Sequence, residues 1–298
     1  LIAQAGEVIL GKERQIKLAV ACLLGRGHLL IEDVPGVGKT TLAHVLAQSL
    51  GLSFQRIQFT SDLLPADILG VSVYERDSAS FKFHPGPIFS QCILADEINR
   101  ATPKSQSALL EAMEERQVTI EGETRRLPEP FFVIATQNPT HQIGTFPLPE
   151  SQLDRFFMKI ELGYPDAQAE RAILQGLDRR NMLESIQPCM SFDELLRAQH
   201  MIREVHVADA LLDYLQAILA FSRRSPEFTG GLSPRAGLAL VHGAQAWAFL
   251  HGREQVIPED VQAVMGSVVS HRLHASSDGG PRSEARLTEL LLEAVPIP

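Results

Sequence analysis

The sequence predicts an α/β domain built on a parallel sheet, interrupted by two hairpins and followed by an all-helical domain. Three observations carry this. Short apolar runs alternate with helical periods over the first half. A glycine-rich turn separates the first run from the helix that follows it. Strand signals stop after Pro165, and every later segment reads as helix. The chain has 298 residues, and at roughly 150 residues per domain that length favours two domains. The division is expected near Gly163, giving residues 1–163 and 164–298.

Ile16, Ala19, Val20, Leu23 and Leu24 recur at helical spacing, and Gly25 and Gly27 stop that helix. His28–Glu32 is a short apolar run with the character of a buried strand. The glycine-rich turn comes next, then a helix from Lys39 to Leu50 closed by Gly51. Phe54–Phe59, Gln91–Asp96 and Phe131–Thr136 supply three more strands. Strands separated by helices form parallel sheets covered on both faces. Two segments break the rhythm. Val71, Val73, Phe81 and Phe83 alternate around Asp77 and Ser78, and Gln117–Leu127 does the same around Glu121-Gly122-Glu123. The sheet is complete without either hairpin, so both are expected to project and touch something.

In the second half Asp166 caps a helix over Ala167–Leu177. Ser191 with Glu194 is a capping box that opens a helix to Arg203. Ala208–Phe221 follows. Ser233 and Pro234 serve as N-cap and first residue of a helix to Leu250. Pro258 opens another toward Val269, Ser276–Pro281 is a polar loop, and Arg282–Ala294 is the last helix.

Composition narrows the function. Hydrophobic residues are 45% and charged residues 21%, which excludes a disordered chain or a coiled-coil rod. The three cysteines, Cys22, Cys92 and Cys189, form no ligand cluster and no disulfide framework, so the reducing cytoplasm is the expected compartment. A net charge of −9 argues against binding to nucleic-acid backbones. Leu1–Gly11 is broken by Gln4, Gly6 and Glu7 and does not read as a signal peptide. Leu1 in place of Met raises the expectation that a short segment precedes it. Ala236–Leu250 is the most apolar stretch, but it holds His242, Gly243 and Gln245 and is shorter than the ~20 residues that span a bilayer, so no membrane span is expected.

The chemistry begins at Val34-Pro35-Gly36-Val37-Gly38-Lys39-Thr40-Thr41, between a strand and a helix. A phosphate-binding loop needs glycines so that backbone N–H groups wrap the β-phosphate. Lys39 would reach the β- and γ-phosphates, and the Thr40 hydroxyl would hold Mg²⁺. The plain alternative is a tight turn with a solvated lysine. Asp33 stands where the usual pattern has glycine, and its carboxylate would oppose phosphate if it pointed inward. Ile93-Leu94-Ala95-Asp96-Glu97 is an apolar strand ending in two acids. Buried strands avoid carboxylates, so the pair needs a cation or a reaction. Asp96 suits the Mg²⁺ shell and Glu97 a base that orients water. A mere helix cap is the alternative.

Together the loop, Asp96-Glu97, Ile98-Asn99-Arg100-Ala101 and Thr136-Gln137-Asn138-Pro139 resemble the MoxR family of AAA+ ATPases. Leu94–Arg116 and Pro147–Phe156 are the most specific stretches, and the likeness covers nearly the whole chain. The resemblance implies an AAA+ P-loop core and a helical lid. It places Asn138 at the sensor-1 position, against the alternative of an Asn-Pro turn. It places Arg155, in Leu148-Pro149-Glu150-Ser151-Gln152-Leu153-Asp154-Arg155-Phe156, at the arginine finger that acts on a neighbouring subunit. A surface partner for Asp154 is the alternative. Arg235 in Ser233-Pro234-Arg235-Ala236 matches sensor 2; the alternative is a plain helix start, where the macrodipole disfavours a cation. Arg100 is a second-rank candidate to cross a subunit boundary. His28, His44, His141 and His206 show no ligand spacing. Cys22 and Cys92 read as buried thiols, Trp247 as core, and Glu111, Glu114, Glu115 and Arg116 as a solvated helix end.

The resemblance implies ATP hydrolysis with Mg²⁺ in a homo-hexameric ring that remodels client proteins with a von Willebrand factor A domain partner. A magnesium-chelatase-type subunit is close in architecture. Two rivals stand beside it: a nucleic-acid motor or loader on the same core, and a nucleotide-gated switch that turns over slowly.

Overall fold

The computed structural model describes residues 1–77, 79–138, 144–175, 182–183, 185–276 and 283–297. Its contacts divide the chain into two units. The first holds residues 1–13, 30–155 and 161–192, and the second residues 14–29, 156–160 and 193–298.

The first unit opens with helix α1 (Ile2–Val8), a single short segment inside Leu1–Gly11 where the sequence shows no usable period. Helix α2 (Glu13–Leu24) ends at the glycines, as its apolar stripe requires, and buries Ile16, Ala19, Val20 and Leu23 within the second unit. Strand β1 (Leu29–Glu32) runs into the glycine loop, and helix α3 (Lys39–Ser49) follows. Next come β2 (Phe54–Gln58), helix α4 (Pro65–Leu69), and the hairpin strands β3 (Gly70–Glu75) and β4 (Ser80–Pro85). Strand β5 (Cys92–Asp96) is buried from end to end. Helix α5 (Pro103–Glu115) leads to the second hairpin, β6 (Gln117–Ile120) and β7 (Glu123–Arg126). Strand β8 (Phe132–Gln137) is also buried throughout.

In the sheet β2, β5, β8 and β1 lie side by side in that order, and β9 (Met158–Ile160) brings its strand count to five. The β2–β5 and β5–β8 pairs are parallel, with Arg56 opposite Leu94, Gln58 opposite Asp96, and Ala95 opposite Ala135. Cys92–Ala95 on β5 and Phe132–Ala135 on β8 are apolar on both faces, as strands of a covered parallel sheet are, and the polar residues fall at the strand ends. The two hairpins form separate two-stranded sheets, as their alternation predicts. Arg125 on β7 sits 4.1 Å above the Phe83 ring on β4, joining one hairpin to the other. Helix α6 (Glu150–Leu153) packs on α5 through the Gln152–Ser107 hydrogen bond. Helix α7 (Ala167–Leu174) starts where Asp166 accepts the Ala169 N–H.

The second unit is helical: α8 (Phe192–Glu204), α9 (Asp209–Arg224), α10 (Pro234–Leu250), α11 (Pro258–Val269) and α12 (Glu284–Ala294). Ser233 caps α10 by accepting the Ala236 N–H, with Pro234 in the first turn. The last helix begins at Glu284 with Ser283 as its cap; Arg282 lies outside the described residues, as do Pro139, His141 and Ser78. The unit also carries a ribbon of β10 (Phe228–Thr229) and β11 (His274–Ala275), too short to leave an alternating pattern. No helix among the described residues is long and apolar enough to cross a membrane.

Candidate functional site

The loop between β1 and α3 is shaped by backbone torsion. Gly36 and Gly38 have φ of +87° and +99°, a left-handed region that residues with a Cβ enter only under strain. Open space surrounds both positions, so the torsion and not crowding selects glycine. Gly38 is the N-cap of α3 and brings no capping side chain, and the first turn holds no acid. The helix therefore presents uncapped N–H groups and the positive end of its dipole to the loop, which suits an anion. Pro35 is exposed, Val34 and Val37 are half-buried, and Thr40 and Thr41 sit half-buried in the first turn of α3.

Lys39 is buried beneath this loop at 8% exposure. Its Nζ donates to the carbonyls of Asp33 and Val34 and, at 3.1 Å, to Oδ1 of Asn138. Burial pulls the ammonium below the ordinary lysine pKa, and the carboxylates of Asp33, Asp96, Glu97 and Glu32 oppose that pull. Asn138, at the end of β8, donates through Nδ2 to Oε1 of Glu97 at 2.9 Å. Its carbonyl accepts from Asn99 at 3.1 Å. One amide thus bridges the lysine and the acid, with each end facing its complement.

Glu97 holds φ of +57°, a strained value for a side chain of its size. Its N–H donates to Thr136 Oγ1 at 2.9 Å, which anchors the turn to β8. Its Oε2 accepts from Gln58 at 3.2 Å and pairs with Arg100 at 2.9 Å. Arg100 therefore has a partner inside its own subunit. Thr136 Oγ1 donates in turn to Asp96 Oδ1 at 2.6 Å. The other oxygen of Asp96 accepts both Nη2 (2.6 Å) and Nε (3.1 Å) of Arg56.

Asp33 does not oppose the loop. Its two oxygens accept the N–H groups of Val34 (2.8 Å) and Gly163 (2.6 Å), so the carboxylate is committed to backbone donors. The same contact fixes the Gly163 segment beside the loop. Lys12 donates to the Tyr164 carbonyl at 2.7 Å nearby, and a cavity of about 350 Å³ opens there, lined by Leu10, Gly11, Asp166, Gln168, Ala169 and Ala172.

Arg155 lies just after α6, half-buried, and pairs with Glu114 of α5 at 2.9 Å. Glu111, Glu114, Glu115 and Arg116 are exposed, as a solvated helix end predicts, and Glu114 adds a pair with Arg155. Arg235 is exposed in the first turn of α10, in the second unit. Lys39, Asp96, Glu97 and Asn138 form one cluster in the first unit. Sequence reasoning missed Arg56 and Gln58, which share a face of β2 by alternation. Two polar residues spaced by two at the end of a strand were the only local signal.

Among the described residues no three His, Cys, Asp or Glu side chains gather as a metal cage. The Thr40 hydroxyl in the first turn of α3 and the Asp96 carboxylate at the end of β5 are oxygen donors of the kind that suits Mg²⁺, which keeps its waters and takes the rest of its shell from substrate phosphates.

A buried strand, a glycine loop, a helix and an acid pair at the end of β5, one strand removed from β1 across β8, define a phosphate-loop nucleotide-binding fold. Residues 28–158 match the profile described as "ATPase family associated with various cellular activities (AAA)", and residues 220–290 match an AAA lid domain. The Bacillus subtilis protein YeaC, itself uncharacterized, is 43% identical over all of this chain and 93% of its own length. Chaperone MoxR1 of Mycobacterium tuberculosis is 41% identical over 93% of this chain and 75% of its own. A crystal structure from Cytophaga hutchinsonii, provisionally described as an ATPase, matches with a TM-score of 0.91 and 37% identity, covering all of this chain and 93% of that one. The chain belongs to the MoxR family of AAA+ ATPases.

Proposed function

We propose that this protein is a Mg²⁺-dependent ATPase that converts ATP to ADP and phosphate and remodels client proteins as a chaperone-like machine. The observation that carries the reading is the hydrogen-bonded chain Lys39–Asn138–Glu97, which sets a cation and a carboxylate at the two ends of one amide. Residues 1–163 act as the nucleotide-binding core and residues 164–298 as the lid. The backbone of Val34, Pro35, Gly36, Val37 and Gly38 wraps the phosphates, with Thr41 behind them in the first turn. Lys39 exchanges its carbonyl acceptors for β- and γ-phosphate oxygens, gaining charge-assisted hydrogen bonds. Thr40 and Asp96 hold Mg²⁺, which when bound neutralises charge on the β- and γ-phosphates. Glu97 orients the attacking water and Asn138 reads the γ-phosphate. The cavity at Leu10 and Gly11 is of a size that takes a base.

Arg155 serves a neighbouring subunit as its finger, and Arg235 serves as sensor 2 on the lid. A finger implies a ring, which we take as a homo-hexamer in the cytoplasm, working with a von Willebrand factor A domain protein. Support for the chaperone-like role comes from the relative named Chaperone MoxR1.

The test is ATP turnover per subunit across a wide range of protein concentration. Turnover should climb with concentration. Arg155→Ala should lower it by roughly 10³-fold or more while ATP binding survives. A flat rate near zero at every concentration would overturn the working ring and leave the slow switch.

A further inference from the structure

Asp96 already has a cation. Its carboxylate is almost fully buried, with 10% of the side chain exposed, and a buried carboxylate without a counter-charge is costly. Arg56 reaches across from the neighbouring strand and places two N–H groups on the same oxygen, Oδ2, at 2.6 and 3.1 Å. Thr136 donates once to Oδ1. The acid assigned to Mg²⁺ is therefore engaged at both oxygens, and Oδ2 carries both prongs of a cation.

We infer that Arg56 is a positioning residue that holds Asp96 as its counter-ion in the metal-free protein and competes with Mg²⁺ for that carboxylate, loosening its grip on Oδ2 as the metal binds. The inference rests on the assignment of Asp96 to the metal. A guanidinium stays charged at any working pH, so it cannot yield by losing a proton. It and a hydrated Mg²⁺ repel one another beside one carboxylate. Release is cheap for Arg56 because its side chain is 48% exposed and already donates to Oε1 of Gln58 at 2.7 Å. Leaving Asp96 puts the guanidinium in water and strands no buried cation. The register makes the arrangement specific. Gln58 lies opposite Asp96 on the parallel pair, and Arg56, two residues earlier on the same face, reaches forward to the strand end.

Arg56 thus sets how strongly metal improves nucleotide binding. Without it Asp96 waits unpaired, and the metal-bound complex gains relative to the metal-free one. The affinity for a fluorescent ATP analogue is measured in excess MgCl₂ and again in EDTA, for the wild type, Arg56→Gln and Arg56→Lys. The ratio of the two affinities is the metal-dependent gain. Arg56→Gln should raise that gain by roughly twofold to fivefold, the range for losing a half-exposed charged competitor. Arg56→Lys, which keeps the charge but not the two-pronged grip, should fall between. A merely structural role would shift both affinities together and leave the ratio alone. If Arg56→Gln does not fold, Arg56→Lys decides: a gain above wild type supports the competition, and a gain equal to or below wild type overturns it. A wild type that binds the analogue with no metal gain overturns the assignment of Asp96 to Mg²⁺, and the inference falls with it.

Discussion

Lys39, Asp96 and Asn138 are buried side by side in the first unit, and Asp260, Lys159 and His271 are buried as deeply in the second. The first three face acceptors and donors that a ligand can replace: loop carbonyls around Lys39, and a half-exposed guanidinium on Asp96. The second three close on the protein. Asp260 pairs with Arg253 and accepts the Ile257 N–H at 3.0 Å, sealing the start of α11. Lys159 on β9 donates to Glu284 of the last helix at 2.6 Å. His271 bonds through Nε2 to the Phe156 carbonyl at 3.1 Å. Buried polarity in one unit is available for exchange, and in the other it ties elements together. Substitutions in the first should therefore cost binding and leave stability nearly alone, and those in the second should do the reverse.

The largest effect that sharpens this contrast is at Lys39. Lys39→Ala removes a charge-assisted donor to phosphate, worth about 3 kcal/mol, so ATP affinity should fall roughly 10²-fold. Folding should change little, because a desolvated ammonium is itself a cost that the four nearby carboxylates only partly offset. A fluorescent-nucleotide titration beside a thermal melt checks both halves. A drop in Tm of more than about 4 °C with affinity retained would mean that Lys39 is a structural tie like those of the second unit.

The second unit predicts a stability that depends on pH. Burial holds the His271 imidazole well below its ordinary pKa, with the Arg272 cation adding to the effect and Lys159 a smaller part; the Phe156 hydrogen bond opposes them. With Nε2–H given to Phe156, the buried Nδ1 has no partner, so a second proton would meet two cations and no acceptor. The unfolded chain binds that proton near pH 6.5 and the folded protein does not. Stability from this group is then complete above about pH 6.5 and declines as pH falls below it, by up to about 1.4 kcal/mol per pH unit. Urea midpoints from pH 7.5 to about 5.5 should slope downward in the wild type, and less so in His271→Gln. Equal slopes would remove His271 from the account.

How much of this was legible differs by the kind of signal. Gly36, Gly38, Lys39 and the acids at the end of β5 sit in local patterns, where a torsion or an apolar run names the element and its end. The hairpins announced themselves by alternation, and α10 by Ser233-Pro234. Strand β9 has three residues and α1 seven, both too short to express a period. Partner choice was invisible for a different reason. Arg56 meets Asp96 forty positions away, and Arg155 meets Glu114 at a similar separation. Such pairs are set by sheet order and by how α6 lies on α5, which no local window contains. The inward turn feared for Asp33 was resolved by the Gly163 N–H, a donor supplied from 130 positions on.

Glu114 gives the smallest effect and the finest division between the two kinds of pair. The Arg155–Glu114 contact is half-exposed on both sides, so it resembles neither the buried cluster of the first unit nor the ties of the second. A pair of that exposure is worth at most about 1 kcal/mol. If Arg155 reaches into a neighbour, the carboxylate of Glu114 competes with the incoming phosphate for the same guanidinium. Glu114→Gln keeps the shape and removes the competing charge. The protein concentration giving half-maximal ATP turnover should then fall by about twofold to threefold, with the plateau rate little changed. High salt should shrink the difference, since screening weakens an exposed pair in the wild type first. A plateau that drops in Glu114→Gln at every concentration would mean the opposite arrangement, in which Glu114 aims the guanidinium and the pair persists in the assembled ring.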